Sequence, residues 1–282
     1  MNFGDKLELK IPSETSLAAH QMYNAQNNYL RIGDSLESIA DKIQLSLFDS
    51  TSILDLLTIF RLALASSFQY AELLPDSLAS NASLKRLDWK YALYLPANHP
   101  GIHKNALCNF RQGLHSSSKA ILEFGKLLQI LSEFGLFQNL KNHSLDPDEV
   151  ISIICQINRI NKLQTAMKAG LSLISSLKPD WLAGHVSPHW FNRYKTGPLI
   201  SVDYFDPADL QTYADRIGAD MFSLLSKIKE FDFPELASLA EIQALARLFQ
   251  NQYMNDGEKL CWKNHECVSC VSNDLKVEGG KL

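Results

Sequence analysis

Residues 84–137 read LKRLDWKYALYLPANHPGIHKNALCNFRQGLHSSSKAILEFGKLLQILSEFGLF. Leu84, Leu87, Tyr91 and Tyr94 or Leu95 recur at helical 3–4 spacing. Leu107, Phe110 and Leu114 repeat that spacing after a break at Pro96, Pro100 and Gly101. Ser116 to Ser118 offer a cap for a third, longer helix, which Gly135 should end. The pattern predicts two short helices anchored by a longer one, and it points to an all-α fold.

Charge singles out the same stretch. Between residues 81 and 126 stand seven cations, Lys85, Arg86, Lys90, Lys104, Arg111, Lys119 and Lys126, against two anions, Asp88 and Glu123. That is a net +5 on a chain of net −4, which leaves −9 elsewhere. A basic island on an acidic protein suits a polyanion, although a merely solvated face reads the same way.

Working upstream, residues 53–74 are apolar nearly all round, and a helix with so little polar face belongs in a core. Asp49, Ser50 and Thr51 are its candidate caps. Before it, a short helix is expected over 17–29 and another over 36–47, opened by Asp34 or Ser35. After it, Pro75-Asp76 restarts the chain as a short helix. Asn81-Ala82-Ser83 then links it to LKRLDWKYALYL, the outline of a helix-turn-helix unit.

Downstream, Asp146 at an N-cap, Pro147 at N1 and the acids Asp148 and Glu149 make a helix start, and Pro179 sets its end. Residues 180–194 read as loop or short helix. Asp206-Pro207 opens a helix that Gly218 could interrupt, and Pro234 opens the last one, running to Tyr253. ISVDYF, residues 200–205, is a weak strand pattern. The expected organisation is an extension over 1–30, a helical DNA-binding domain over 31–140, a second helical segment over 141–255 and an irregular tail over 256–282.

Several classes are disfavoured. No run reaches the roughly eighteen apolar residues of a membrane span, and MNFGDKLELKIPSET lacks the basic and apolar regions of a signal peptide, so a cytoplasmic protein with no membrane partner is expected. Five cysteines are too few for a disulfide scaffold, and Cys108 and Cys155 read as buried thiols. Cys261, His265, Cys267 and Cys270 give C-x3-H-x-C-x2-C, chemically acceptable to zinc but unlike common zinc modules in spacing.

The run Arg86-Leu87-Asp88-Trp89-Lys90-Tyr91-Ala92-Leu93, then Pro100-Gly101 and Asn109-Phe110-Arg111 with Leu114, resembles the N-terminal helical domain of bacterial insertion-sequence transposases of the DDE class, the InsH type. Asn28-Tyr29-Leu30-Arg31 upstream fits the same likeness. Downstream, so do Asn158-Arg159-Ile160, Pro179-Asp180-Trp181-Leu182, the run from Pro188 to Tyr194, Ile217-Gly218-Ala219-Asp220 and Gln252-Tyr253. The resemblance implies a domain that binds terminal inverted repeats in double-stranded DNA. It also implies a ribonuclease-H-like domain whose Asp, Asp and Glu hold two divalent metals. Asp146 falls where the first of those acids would stand, but its immediate neighbours favour reading it as the cap of its own helix.

The second Asp and the Glu find no counterpart, so the chain is expected to be catalytically incomplete alone. No cofactor is expected in it, and Mg²⁺ only where a complementing catalytic domain is present. A homodimer or a full-length transposase is the expected protein partner. Two alternatives stand beside this: a subunit completed by a separate chain, and a helical protein-interaction module with no DNA role. On the DNA reading, the contact residues are Lys85, Arg86 and Lys90 on one helix and Lys104, Asn105, Asn109 and Arg111 on the next, with Trp89 and Tyr91 assigned to the core.

Overall fold

The structure is a computed structural model that describes residues 10–48, 55–140, 144–194, 209–231, 233–256 and 259–263. The described residues form fourteen α-helices and one two-stranded hairpin, so the fold is all-α. None of these helices is long and apolar enough to cross a membrane. The chain divides into two compact units, with the division after Cys155, inside α9.

The first unit is built on α4, Leu56–Ala71. Every residue from Ile59 to Ala71 is buried except Arg61, as the apolar sequence of this helix requires. The expected caps at 49–51 lie outside the described residues. Asp55 does the capping, accepting from the Thr58 amide at 2.8 Å and its hydroxyl at 2.7 Å. Packed against α4 are α5 (Asp76–Lys85), α7 (Lys104–His115) and α8 (Ser118–Glu133). On the other side of the unit, α1 (Ser13–Met22) and α2 (Asn28–Asp34) pack on α6 (Leu87–Ala92), with Ala19, Leu30 and Tyr91 in one apolar cluster. The helix expected over 36–47 is a single turn and a half, α3 (Leu36–Ala40), followed by a 3-10 turn at Leu45–Leu47.

The link expected at residues 81–83 is helical, because α5 runs on through it to Lys85. The chain breaks at Arg86 (φ −91°, ψ 123°), so LKRLDWKYALYL is not one helix. Leu84, expected inside, is 43 % exposed as a result. α6 ends through Tyr94 in the left-handed region at φ 51°, with the Leu95 amide donating back to the Lys90 carbonyl at 2.9 Å. The loop that follows turns at Gly101, φ 82°, where a Cβ would lie 2.9 Å from the Leu84 amide nitrogen. Gly135, φ 76°, follows the end of α8 as expected.

The second unit holds the rest of α9 (Pro147–Leu177), α10 (Pro179–His185), α11 (His189–Tyr194), α12 (Asp209–Glu230), α13 (Pro234–Ala237) and α14 (Ala240–Gln252). Gly218 does not interrupt α12. It lets the Tyr253 ring lie on the helix, where a Cβ would come 2.3 Å from Cε1. The last helix is broken after α13, and α14 gives way to a hairpin that the sequence did not suggest. In it, β1 (Tyr253–Asp256) pairs antiparallel with β2 (Lys259–Trp262), and Tyr253 stands opposite Trp262. The weak strand at 200–205 and the start at Asp206-Pro207 lie outside the described residues.

Candidate nucleic-acid interface

α7 is the most amphipathic part of the basic island. His103 caps it through Nδ1, which accepts from the Asn105 amide at 3.2 Å. Leu107, Cys108, Phe110, Arg111 and Leu114 are buried on one face. Lys104, Asn105 and Asn109, all expected to meet DNA, are exposed. At 100° per residue, Asn105, Asn109, Gln112 and Ser116 fall on a single stripe opposite the buried face.

Arg111 is a correction to the expected contact set. It is 1 % exposed, and its guanidinium donates to both Asp76 oxygens at 2.7 and 2.8 Å and to Gln69 Oε1 at 3.0 Å. The two-toothed pairing ties α5, α4 and α7 together in the core. Its spacing was a readable signal: Arg111 is i+4 from Leu107 and i−3 from Leu114, inside the apolar stripe.

Lys90 needs the same correction, because the break at Arg86 changes the phase of its helix; Arg86, at the break itself, is half-buried with its side chain 34 % exposed and is engaged by acids. Arg86 donates to Asp88 at 3.0 and 2.7 Å and to Glu72 at 2.7 and 2.5 Å. Its guanidinium lies 5.2 Å from the Tyr29 ring centre and 5.5 Å from that of Trp89. Glu72 is the hub of this cage, accepting also from the Tyr29 hydroxyl and from Trp89 Nε1 at 3.1 Å. Desolvation opposes the Arg86 charge, but the hydrogen bond to Asp88 and the charge of Glu72 outweigh it and raise its pKa. Lys90 is 3 % exposed. Its ammonium donates to the Ala97 carbonyl and, at 3.0 Å, to that of His99, and burial lowers its pKa.

Both anions of the island are also inside. Asp88 and Glu123 are each 2 % exposed, Asp88 held by Arg86 and Glu123 by Lys126 at 2.5 Å and the Gln44 amide at 3.0 Å. The exposed cations of the island are therefore Lys85, Lys104, Lys119 and the ion-paired Lys126, beside the half-buried Arg86, and neither of its carboxylates is exposed.

Asp146 caps α9: its Oδ1 accepts from the Asp148 amide at 2.9 Å and the Glu149 amide at 3.2 Å. Among the described residues no three His, Cys, Asp or Glu side chains converge on a point that could hold a metal ion. Of the zinc candidates only Cys261 is described, half-buried in β2 as a free thiol; His265, Cys267 and Cys270 lie outside the described residues. Cys108 is a buried thiol as expected, whereas Cys155 is joined in a disulfide.

In the second unit, the residues that carried the transposase resemblance meet one another. Arg193 and Tyr194 both donate to Asp220, the tyrosine at 2.7 Å. Arg159 donates to Gln252 at 2.9 Å and to the Lys263 carbonyl at 2.7 Å, 4.0 Å over the Trp262 ring. Desolvation lowers its pKa to about 10. The Tyr253 hydroxyl donates to the Ala214 carbonyl at 2.6 Å. A cavity of about 350 Å³ lies between α9, α10 and α11, lined by Leu171, Leu182, Val186 and Trp190 with Lys168 at its edge. Ser172, Ser175 and Tyr194 also line it, the tyrosine hydroxyl being engaged by Asp220.

Compared with known proteins, the chain matches no family model, no curated protein and no solved structure.

Proposed function

We propose that the first unit binds double-stranded DNA. One observation carries this: within residues 81–126 both acids are buried, while Lys85, Lys104 and Lys119 reach solvent, so the accessible charge of this segment is cationic. The resemblance to insertion-sequence transposases makes the terminal inverted repeats of such an element the expected target, and a second copy or a full-length transposase the expected protein partner. The contact set is narrower than the sequence suggested. The arginines hold the fold together, and lysines without internal acids are left for phosphate.

Affinity should be modest and steeply dependent on salt. Each phosphate contact contributes about −0.9 to the slope of log K against log salt, so three lysines give roughly −3. The test is fluorescence anisotropy with a labelled 30-base-pair duplex from 50 to 200 mM salt. Replacing Lys85, Lys104 and Lys119 together by Ala should flatten the slope to near zero. An acidic protein partner could meet the same lysines, so polyglutamate serves as competitor. Displacement by polyglutamate as readily as by duplex, or an unchanged slope in the triple variant, would reject the DNA reading.

A further inference from the structure

The basic island contains two helices that could enter a groove, and they differ in what they leave open. α6 buries Asp88, Trp89, Lys90, Tyr91 and Ala92 in succession, so no face of it is free. α7 is packed on one side by α4, α5 and α8 and is open on the other. Resting on the DNA-binding reading above, we infer that α7 is the helix that reads sequence in the major groove, through Asn105, Asn109 and Gln112, with Lys104 on a phosphate beside its first turn.

The chemistry of the open stripe supports this. Side-chain amides offer a donor and an acceptor together, the pairing that an adenine edge presents in reverse. Asn105, Asn109 and Gln112 follow one another at i, i+4 and i+7, a rise of roughly 10 Å at 1.5 Å per residue, comparable with the roughly 12 Å width of the major groove. Lys104 stands at the N-terminal end, where the helix dipole also favours phosphate. The C-terminal end is different: His115 lies 3.8 Å from Asp148, and Asp146, Asp148 and Glu149 are all exposed there. Those acids would repel a backbone, so the N-terminal half of α7 enters, as recognition helices generally do.

Gly113 is the position on α7 against which the amides are compared. It lies in the last turn of α7, and a Cβ built on it meets nothing within 4 Å. The protein's own packing does not demand a bare backbone there, and the helix would be firmer with alanine. Gly113 lies at the end of the helix that the acids turn away from the duplex.

The test uses the full chain and a pool of duplexes carrying 20 randomised base pairs. Wild type should enrich a common sequence. Asn105→Ala and Asn109→Ala should then bind that enriched duplex about 5- to 100-fold more weakly while binding the unselected pool within about twofold of wild type. Asn109→Asp, of equal size, should lose both. Gly113→Leu, at the end turned from the duplex, should bind both pools within about twofold of wild type with its helical circular dichroism intact. Three outcomes overturn the inference. Wild type that binds DNA but enriches nothing would do so, as would alanine variants that re-enrich the same sequence at wild-type affinity; either would leave DNA binding by the unit standing. A wild type that binds no duplex would remove both readings together.

Discussion

α6 and α7 look alike as sequence and behave as opposites in the fold. Each is a short basic helix with aromatic or leucine positions at 3–4 spacing. α6 is walled in, its cations paired with Glu72, Asp88 and backbone carbonyls, while α7 spends one arginine on the core and leaves a polar stripe in solvent. The difference lies in the company each cation keeps. Arg86 has Asp88 two residues on and Glu72 fourteen residues back, and Arg111 has Asp76; among the described residues Lys104 and Lys85 stand exposed and outside the ion pairs. A long cation beside an unpaired acid is drawn inward as a pair. Counting charge along a chain therefore overstates the surface charge wherever acids are near in space.

The largest effect that would sharpen this contrast is Arg111→Ala. It strands the Asp76 carboxylate and removes a buried pair, which costs about 3–5 kcal/mol. Lys104→Ala, at the exposed first position of the same helix, should move stability by less than about 0.5 kcal/mol. Urea unfolding followed at 222 nm compares the two. Equal midpoints would mean that Arg111 is not the internal tie described.

Alkaline pH separates the helices in a second way. Tyr94, which closes α6 by donating to the Gly33 carbonyl at 2.9 Å, is pushed up to about 12 by desolvation and then by the charges of Glu37 and Asp34. A phenol whose folded pKa lies above its unfolded value of about 10 stabilises fully below pH 10, and that contribution is lost as pH rises toward 12. Two units correspond to roughly 2–3 kcal/mol. Tyr29 and Tyr91 are shifted in the same direction by burial, and by Glu72 and Asp34 respectively. Stability of the first unit should fall above pH 10, and Tyr94→Phe should make that fall shallower. An unaltered pH profile in the variant would place the sensitivity elsewhere.

Lys90→Met gives a smaller change, about 1–2 kcal/mol, because it leaves two carbonyls without their donor while keeping the apolar stem. The depressed pKa of Lys90 acts with the opposite sign to the tyrosines: the unfolded chain holds its proton longer, so stability gains slightly as pH climbs toward the unfolded value of about 10.4. The variant should lose that rising limb, which titration of the unfolding midpoint between pH 8 and 10 detects.

Much of the architecture could be read from residue spacing. The buried post α4, the core stripe of α7, the serine cap of α8, the glycine after it and the Asp146 start of α9 all follow from local signals, because caps and stripes act within one or two turns. What escaped was long-range or phase-dependent. The break at Arg86 depends on a cage assembled from Tyr29, Glu72 and Trp89, which lie far apart in sequence, and it rotates Lys90 inward. The partner of Arg111 is 35 residues away. The hairpin after α14 carries no alternation that four-residue strands could display, and it is held by Arg159 over Trp262. Among the proposed contact residues, Lys104, Asn105 and Asn109 were legible because α7 is regular. Gln112 follows from the same helical phase but carries no charge that would mark it as part of the basic island.

The smallest effect is the one that bears most directly on why α7 is left open. Two of the helical glycines, Gly113 and Gly218, have opposite surroundings. Gly218 is pressed by the Tyr253 ring, so Gly218→Ala forces the ring away from Ala214 and should destabilise the second unit. Gly113 faces open space, so Gly113→Ala adds helix propensity and meets no obstacle. Because it lies in the last turn, the gain should reach about 0.5–1 kcal/mol at most. A more stable protein that binds duplex DNA more weakly would mean that the bare backbone serves a partner at the expense of the fold. A gain in stability with DNA binding unchanged would leave Gly113 an unremarkable residue near a helix end, and α7 would then rest on its amides alone.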